Sequence, residues 1–293
     1  MKKIILVQIC LMLAGGIFAQ QTAKYGLYQD NPFIMNPAYT GASETTKAFM
    51  HYRNEITGLR GAPVSKIISV DTKMIDWKAG FGINAFADNA NILQRQGFNL
   101  AYSYQLKLEN EQRLNFGLSV GTVQNSIDYD NIIAENPNEL ISLYNYKTTT
   151  SFNGSFGMMY GIKSFEIGFA LTNLLNKKEF SDKYQLAYIQ KPEYNGTMLY
   201  RFDINENIKN TTSLILRSTQ GLPVRFDART IFTMKKMVWG GLTYGLNSSF
   251  GVCVGLNYER LMIGYLYEYP LSKISKISMG ANEIMLGYRF GKK

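Results

Sequence analysis

The sequence is poor in the residues on which most enzyme and metal sites depend. It has one histidine, His51, and two cysteines among 293 residues. It contains no GxSxG, HExxH, CxxC or phosphate-loop motif. A lone histidine is more often a structural hydrogen-bonding residue than a catalytic base. We therefore predict a protein that is not an enzyme and holds no cofactor and no metal. A membrane hydrolase with His51 as its base is the least favoured alternative.

Long apolar runs are also missing. Beyond the N-terminus no run of 18 or more apolar residues occurs, which excludes a conventional transmembrane helix. Residues 1–19 have the pattern of a secretory signal, with a basic start, a short apolar centre and Ala19 at the end. Its removal leaves Cys253 as the one cysteine, so the exported chain is predicted to form no internal disulfide.

The charge is unbalanced but carries no nucleic-acid signature. The sequence has 31 Lys and Arg against 22 Asp and Glu, a formal net charge of +9. No recognised nucleic-acid-binding motif accompanies this excess. In an exported β-protein we assign it to basic loops or a basic lumen, and we predict no nucleic-acid partner.

Strict alternation of side chains is the strongest positive signal, and it is clearest in residues 237–290. Four runs of about ten residues there place apolar and aromatic side chains on one parity and small or polar ones on the other. In one run, Leu261, Ile263 and Tyr265 alternate with Gly264 and other small or polar residues. Strands of this length with many Tyr and Phe are typical of outer-membrane barrels, with lipid outside and a wet or packed interior.

We predict an all-β fold, a transmembrane antiparallel β-barrel of about 14 strands that occupies residues 44–293. The predicted gaps after even-numbered strands are short, whereas most gaps after odd-numbered strands, such as 89–95 and 126–147, are longer. Outer-membrane barrels have short periplasmic turns and long outer loops, so both termini are predicted to be periplasmic. The predicted strands are 44–54, 64–73, 78–88, 96–108, 112–125, 148–160, 164–171, 195–204, 210–218, 224–234, 237–246, 249–258, 261–270 and 281–291.

Residues 20–43 do not read as a strand. They contain two Asn-Pro turn signals and several aromatic residues. We predict an ordered N-terminal periplasmic segment that packs on or in the barrel from the periplasmic side.

Charged residues on strands eight to ten share the parity opposite the aromatic residues. A charge on the lipid face near mid-membrane costs about 2–4 kcal/mol for Arg, so these side chains are predicted to face the lumen. A structural lattice of ion pairs is favoured over a transport site. The predicted lumen charges are Arg201, Asp203, Arg217, Arg225, Asp227 and Arg229.

Several blocks together resemble a known family. They are Asn36-Pro37-Ala38-Tyr39-Thr40-Gly41, Tyr52-Arg53-Asn54-Glu55, Gly58-Leu59-Arg60-Gly61-Ala62-Pro63 and Asn282-Glu283-Ile284-Met285-Leu286-Gly287-Tyr288-Arg289-Phe290. Their order and spacing resemble the PorP/SprF family of outer-membrane proteins of the Bacteroidetes type IX secretion system, which is linked to gliding motility. The motif or partner-contact candidates are Asn36, Pro37, Tyr39, Gly41, Tyr52, Arg53, Gly58, Gly61, Pro63, Glu283, Tyr288, Arg289 and Phe290.

The resemblance implies secretion rather than metabolism. It implies an outer-membrane barrel that works beside type IX secretion components and helps cargo proteins with a C-terminal sorting domain, such as adhesins, to reach or stay on the surface. It also implies a peptidoglycan-linked periplasmic partner. The sequence departs from many relatives at Asn282, where they carry His, and at Glu55, where they carry Gln or another neutral residue. A porin-like or hydrophobic-ligand transport channel is the alternative, and an open lumen would favour it.

Overall fold

The structure, a computed structural model, describes residues 25–74, 78–127, 148–175, 191–271 and 273–291. Within these ranges, antiparallel strands close into one barrel in which each strand pairs with its sequence neighbours and β1 pairs with β14. This confirms the predicted all-β barrel of 14 strands. The strands are β1 Lys47–Asn54, β2 Val64–Met74, β3 Ala79–Ala90, β4 Leu93–Lys107, β5 Gln112–Ile127, β6 Thr148–Ile162, β7 Phe165–Thr172, β8 Glu193–Asn205, β9 Ile208–Thr219, β10 Arg225–Met234, β11 Val238–Gly245, β12 Ser249–Tyr258, β13 Leu261–Pro270 and β14 Ala281–Arg289.

The structure contradicts the predicted loop at 89–95. Residues 89–95 were predicted to form a long gap, but β3 and β4 pair as far as Ala90 and Leu93. Asn91 closes this hairpin with a φ of 54°, a left-handed conformation that asparagine tolerates. The outward side chains of this extension are polar, which indicates that β3 and β4 pair beyond the apolar band of the barrel. On the same outward face, Gln96 donates to Gln124 of β5 at 2.6 Å.

The barrel has an apolar outer face. Along β12 and β13, Val252, Val254 and Tyr265 are roughly half exposed, whereas Cys253 and Leu266 between them are fully buried inside. The alternation read from the sequence is therefore the alternation between outside and lumen. An apolar outward band with abundant Tyr and Phe is typical of strands in contact with lipid.

A small polar cluster interrupts this band on β9 and β10. Asn210, Thr212 and Thr230 lie on the outward face, in register with Phe202 and Phe232. Asn210 Nδ2 donates to Thr230 Oγ1 at 3.0 Å, and Thr212 Oγ1 donates to Asn210 Oδ1 at 2.9 Å. The three side chains satisfy one another, which lowers the cost of placing them on an apolar surface.

Residues 25–42 lie inside the barrel and are hereafter called the plug. They form three short 3-10 turns, Tyr28–Asp30, Pro32–Ile34 and Pro37–Tyr39. A further short 3-10 turn, Lys273–Lys276, lies between β13 and β14. Within the described ranges, no helix has the length and apolar character needed to cross a membrane.

The outward band predicts how the barrel responds to an added charge. We expect Val254→Arg, at the middle of β12, to lower the free energy of unfolding in lipid vesicles by about 2–4 kcal/mol. The same change at Tyr258, beside the β12–β13 turn, is expected to cost only about 0–1 kcal/mol because the side chain lies near the interface. Denaturant titration followed by tryptophan fluorescence measures both. Equal losses at the two positions would contradict the assignment of this face to lipid.

Candidate functional site: the plugged lumen and its rims

The plug packs into the barrel through two apolar clusters. Leu27 lies among inward side chains that include Trp239 and Met285, all of them buried. Phe33 and Tyr39 form the second cluster, which includes Ala101 of β4. Burial raises the pKa of Tyr39 to about 12, so its phenol stays protonated at neutral pH. The interior of this barrel is therefore packed like a protein core where the plug lies.

The motif that begins at Asn36 forms the tightest part of the plug. Asn36 Oδ1 accepts from Ala38 N at 2.9 Å and caps the turn Pro37–Tyr39, with Pro37 at its first position. The Asn36 Nδ2 group donates to the backbone oxygens of Met158 and Phe169 at 3.2 and 3.3 Å. One side chain therefore both shapes the plug and ties it to β6 and β7.

The end of the motif is tied to other strands of the wall, β2 and β4. Gly41 N donates to Asp71 Oδ2 at 2.8 Å, and Ser103 Oγ donates to Thr40 O at 2.6 Å. Gln105 Nε2 donates to the oxygens of Thr40 and Gly41 at 3.2 and 2.9 Å. Gly41 has a φ of 60°, which favours glycine. These contacts explain the motif as an anchor of the plug.

Inward glycines leave the space that the plug occupies. A Cβ atom at Gly117 would overlap the backbone of Pro37 and Ala38, and one at Gly80 would overlap the carbonyl of Thr40. Glycines at these positions allow the plug backbone to lie directly against the wall. Three further inward glycines face the plug in the same way: Gly82, Gly157 and Gly168.

A fully buried carboxylate, Glu283, holds the other end of the plug. Glu283 Oε2 accepts from Gly26 N at 2.5 Å, and Oε1 accepts from Leu27 N at 3.0 Å. The same carboxylate accepts from Arg53 Nη1 at 3.2 Å and contacts His51 Nδ1 at 3.1 Å. Four polar groups from two segments, the plug and β1, thus converge on one side chain, which is the arrangement a buried charge requires.

Further contacts complete this polar centre. Arg53 Nη2 donates to Glu268 Oε2 at 2.5 Å and Arg53 Nε lies 3.6 Å from Glu55. His51 Nε2 lies 3.4 Å from Asn31 Nδ2, so the ring bridges the plug and Glu283. This position matches the structural role predicted for the lone histidine. Arg53 and Glu283 were separate motif candidates in the sequence, and their contact with each other and with Asn31 and Glu268 was not predicted.

The predicted lumen charges fall into two groups. The first group lies at the end of the barrel where the turns between strands are short, hereafter the short-turn end. There Arg201 Nη1 donates to Glu166 at 2.5 Å, and Arg113 also pairs with Glu166. Asp203 has inward parity but is 73% exposed, because it lies near the end of β8, where its partner is Lys209 at 3.9 Å. The second group lies on the inner faces of β9 and β10: Arg217, Arg225, Asp227 and Arg229.

The candidates Gly58, Gly61 and Pro63 lie in the loop between β1 and β2, at the long-loop end. Gly58 and Gly61 have φ values of 96° and 76°. Thr57 of this loop exchanges backbone hydrogen bonds of 2.8 and 2.9 Å with Gly280 and Met279 of the β13–β14 loop. Together the two loops expose Leu59, Ile277 and Met279, hereafter the outer-rim patch; Met279 is 70% exposed.

The remaining motif residues divide between the two faces. Tyr52 and Phe290 have outward parity and are exposed. Tyr288 packs edge-on against Phe290, with ring centroids 4.7 Å apart. Arg289 has inward parity, and its Nη2 lies 3.5 Å from Met262 Sδ. Asn282, a departure from the family pattern, bridges Tyr265 and Thr57 through hydrogen bonds of 2.5 and 2.8 Å.

A cleft of 710 Å³ opens at the short-turn end. Ser43 and Glu44 line it where the chain leaves the plug, together with Arg260 of the β12–β13 turn and Arg289 of β14. It therefore joins the plug exit, a turn and the last strand. The predicted outer loops 126–147 and 172–194 lie largely outside the described residues, as does the predicted signal at 1–19.

Comparison with protein families gives one match that spans most of the chain. The family described as "Type IX secretion system membrane protein PorP/SprF" matches residues 17–288. The match includes the plug, all 14 strands except the last residue of β14, and every motif block except Arg289 and Phe290. Comparison with curated proteins found no match.

Among solved structures, similar barrels share the fold at low sequence identity. CymD, a monoaromatic hydrocarbon channel, aligns with a TM-score of 0.56 and 10% identity over 89% of this chain and 92% of its own. A Pseudomonas aeruginosa FadL homologue aligns with a TM-score of 0.52 and 8% identity over 87% and 93% of the two chains. At such identity the likeness establishes an outer-membrane barrel fold and nothing finer.

The polar centre predicts a large effect for one substitution. We expect Glu283→Ala to lower the free energy of unfolding by about 3–5 kcal/mol, because it leaves Arg53 without one buried partner and removes the acceptor of two plug amides. Denaturant titration of the purified barrel measures the loss, and hydrogen exchange of residues 25–31 reports on the plug.

Glu109→Ala, in the exposed β4–β5 turn, is the matched control and is expected to have little effect. Glu283→Gln keeps the acceptor oxygen but not the charge, so we expect an intermediate loss. An effect of Glu283→Ala no larger than that of the control would show that the centre does not hold the plug.

Proposed function

The chain belongs to the PorP/SprF family of type IX secretion system membrane proteins, and we propose that it is a non-enzymatic outer-membrane barrel that assists the export or surface retention of specific cargo proteins. The cargo would be proteins such as adhesins that carry a C-terminal sorting domain. One observation carries this proposal: the plug, anchored at Asn36, Gly41 and Glu283, occupies the lumen of the barrel. A packed lumen leaves the rims as the surfaces that partners can use.

The orientation follows from the loop lengths. Outer-membrane barrels have short turns on the periplasmic side and longer loops outside. We infer that the short-turn end faces the periplasm and that export uses the signal at 1–19. The N-terminus and the C-terminus of the barrel domain then both lie on the periplasmic side.

The outer-rim patch supports a contact with cargo. Leu59, Ile277 and Met279 are exposed on two loops whose backbones are hydrogen-bonded to each other, so the patch has a defined shape. Exposed apolar patches on ordered loops mark protein interaction sites more often than scattered apolar residues do. In the proposed orientation this patch lies outside the cell, where retained cargo resides.

The cleft at the short-turn end supports a periplasmic contact. It combines Glu44 with Arg260 and Arg289, and its volume of 710 Å³ is that of a substantial binding cleft. In the proposed orientation it faces the peptidoglycan. We infer that a peptidoglycan-linked component of the secretion machinery docks here.

A hydrophobic-ligand channel is the alternative, and the similar CymD barrel is described as a monoaromatic hydrocarbon channel. The fold likeness alone does not transfer that activity at 10% identity. The anchored plug weighs against a permanent pore in this chain. Steady ion conductance of the purified wild-type barrel in a planar bilayer would favour the channel instead.

The secretion role predicts a selective surface defect. Deletion of the gene is expected to reduce surface display of a subset of secreted proteins, measured by protease shaving of intact cells, without slowing uptake of small solutes. Met279→Asp should reproduce the defect because it places a charge in the outer-rim patch, while the barrel still assembles.

Leu108→Asp provides the matched control. Leu108 is also an exposed apolar residue, but it lies in the β4–β5 turn at the opposite end. We expect this variant to restore display in the deletion strain. If Met279→Asp restores display as well as Leu108→Asp does, cargo does not use the patch; if the deletion gives only a nutrient defect, the secretion role itself is wrong.

A further inference from the structure

Two arginines in the long-loop half of the lumen are buried without a hydrogen-bonded carboxylate among the described residues. Asp30 of the plug interacts electrostatically with one of them, Arg229. Arg229 is 5% exposed, and its Nε and Nη1 atoms have no hydrogen-bond partner within that part of the chain. Its guanidinium lies 5.0 Å from the ring centre of Tyr28 of the plug. Arg217 is 7% exposed; its Nε is likewise unpaired, and its Nη2 lies 3.9 Å from Met35 Sδ.

The register places further positive charge beside them. Arg225 of β10 lies directly opposite Arg217 of β9, and both have inward parity. Like charges at directly opposite positions of an antiparallel pair destabilise the sheet. Asn195 of β8, on the other side of Arg217, is 2% exposed, and its Oδ1 is unpaired among the described residues. The unpaired Nε donor of Arg217 and the unpaired amide oxygen of Asn195 therefore lie on paired positions of neighbouring strands.

The acidic residues that face this region already have other contacts. Asp88 accepts from Arg95 at 3.1 Å, Glu193 accepts from Asn195 at 2.9 Å, and Glu268 accepts from Arg53. Asp227 lies between Arg225 and Arg229 on β10 and also has interactions. These carboxylates restrict the charge that the site can accept, because they repel a dianion more strongly than a monoanion.

Arg217 also lines a cavity between the plug and the wall. The cavity has a volume of about 110 Å³, and one water needs only about 10–15 Å³. Its floor is apolar and consists of Phe33, Ile34 and Pro37 of the plug. Amide side chains line its walls together with three charged residues besides Arg217: Asn84, Asn99, Asn153, Asn195, Asp88, Arg95 and Glu193. The space therefore suits a small organic group that has both polar and apolar parts.

We propose that this cavity is a binding site for a carboxylate group, with Arg217 as its principal ligand. A guanidinium donates two parallel hydrogen bonds to a carboxylate, and such charge-assisted bonds are strong when buried. A monoanion satisfies the unpaired donors without adding the repulsion of a second charge. The amide side chains of the walls match the amide group of a peptide chain end, whereas a simple carboxylate uses Arg217 alone.

Calorimetric titration of the full-length barrel in detergent tests the site with defined probes. The probes are N-acetyl-alanine, its neutral amide N-acetyl-alaninamide, acetate and inorganic phosphate, all at constant ionic strength. We expect saturable binding of N-acetyl-alanine, no binding of the amide and weaker binding of phosphate. Acetate as strong as N-acetyl-alanine indicates a simple carboxylate ligand, and weaker acetate indicates a peptide chain end.

Arg217→Gln is expected to weaken N-acetyl-alanine binding roughly tenfold or more, equivalent to about 1.4 kcal/mol. Arg229→Gln, at a residue that does not line the cavity, should weaken it less, and Lys235→Gln, in the exposed β10–β11 turn, should leave it unchanged. Heat-modifiable migration in gels verifies that each variant is folded. The proposal is overturned if the wild type shows no saturable binding, if the amide binds as well as the carboxylate, or if folded Arg217→Gln binds like the wild type.

Discussion

The buried carboxylate of Glu283 is the interaction on which the rest of the arrangement depends. It lies on β14, the last strand, yet it accepts hydrogen bonds from the first described part of the plug and contacts His51 and Arg53 of β1. β1 and β14 are the pair that closes the barrel. One charged group therefore couples closure of the sheet to insertion of the plug. Its isolation from water makes these contacts strong and makes their loss costly.

The plug in turn explains the composition of the inner face. Where the plug backbone approaches the wall, the strands carry glycine, as at Gly80 and Gly117. Where plug side chains project, the wall provides apolar surface, as around Leu27 and Phe33. Where plug carbonyls need donors, Ser103 and Gln105 supply them. The inner face is thus complementary to one particular segment, which favours rims rather than a pore as the working surfaces.

The strands could be read from sequence because lipid and lumen impose opposite demands on successive residues. This period of two located every strand to within three residues. The largest shifts are at the starts of β1, predicted from 44 and observed from Lys47, and of β4, predicted from 96 and observed from Leu93. The prediction of a long loop at 89–95 was wrong because β3 and β4 continue to pair beyond the apolar band, where their outward side chains are polar. The contacts of Asn31 with His51 and of Glu268 with Arg53 could not be predicted from the sequence. Local periodicity shows which face of a strand a residue lies on, but not which residue from a distant part of the chain lies opposite it. The motif at Asn36 was recognised, but its role became clear only from the contacts of its amide with β6 and β7.

A cross-linking measurement in native outer membranes tests the central claim, a lumen filled by the chain's own plug. Ala38 O lies 3.2 Å from Asn115 Nδ2, whereas Phe116 is the next residue and has outward parity. In a Cys253→Ser background with a protease site inserted after Ala42, Ala38→Cys and Asn115→Cys are joined with a short bifunctional thiol reagent. If the lumen holds the plug, the plug peptide stays attached to the barrel after protease cleavage in the variant with Ala38→Cys and Asn115→Cys. It is released in the variant with Ala38→Cys and Phe116→Cys. Release of the plug peptide from both pairs would contradict a plugged lumen.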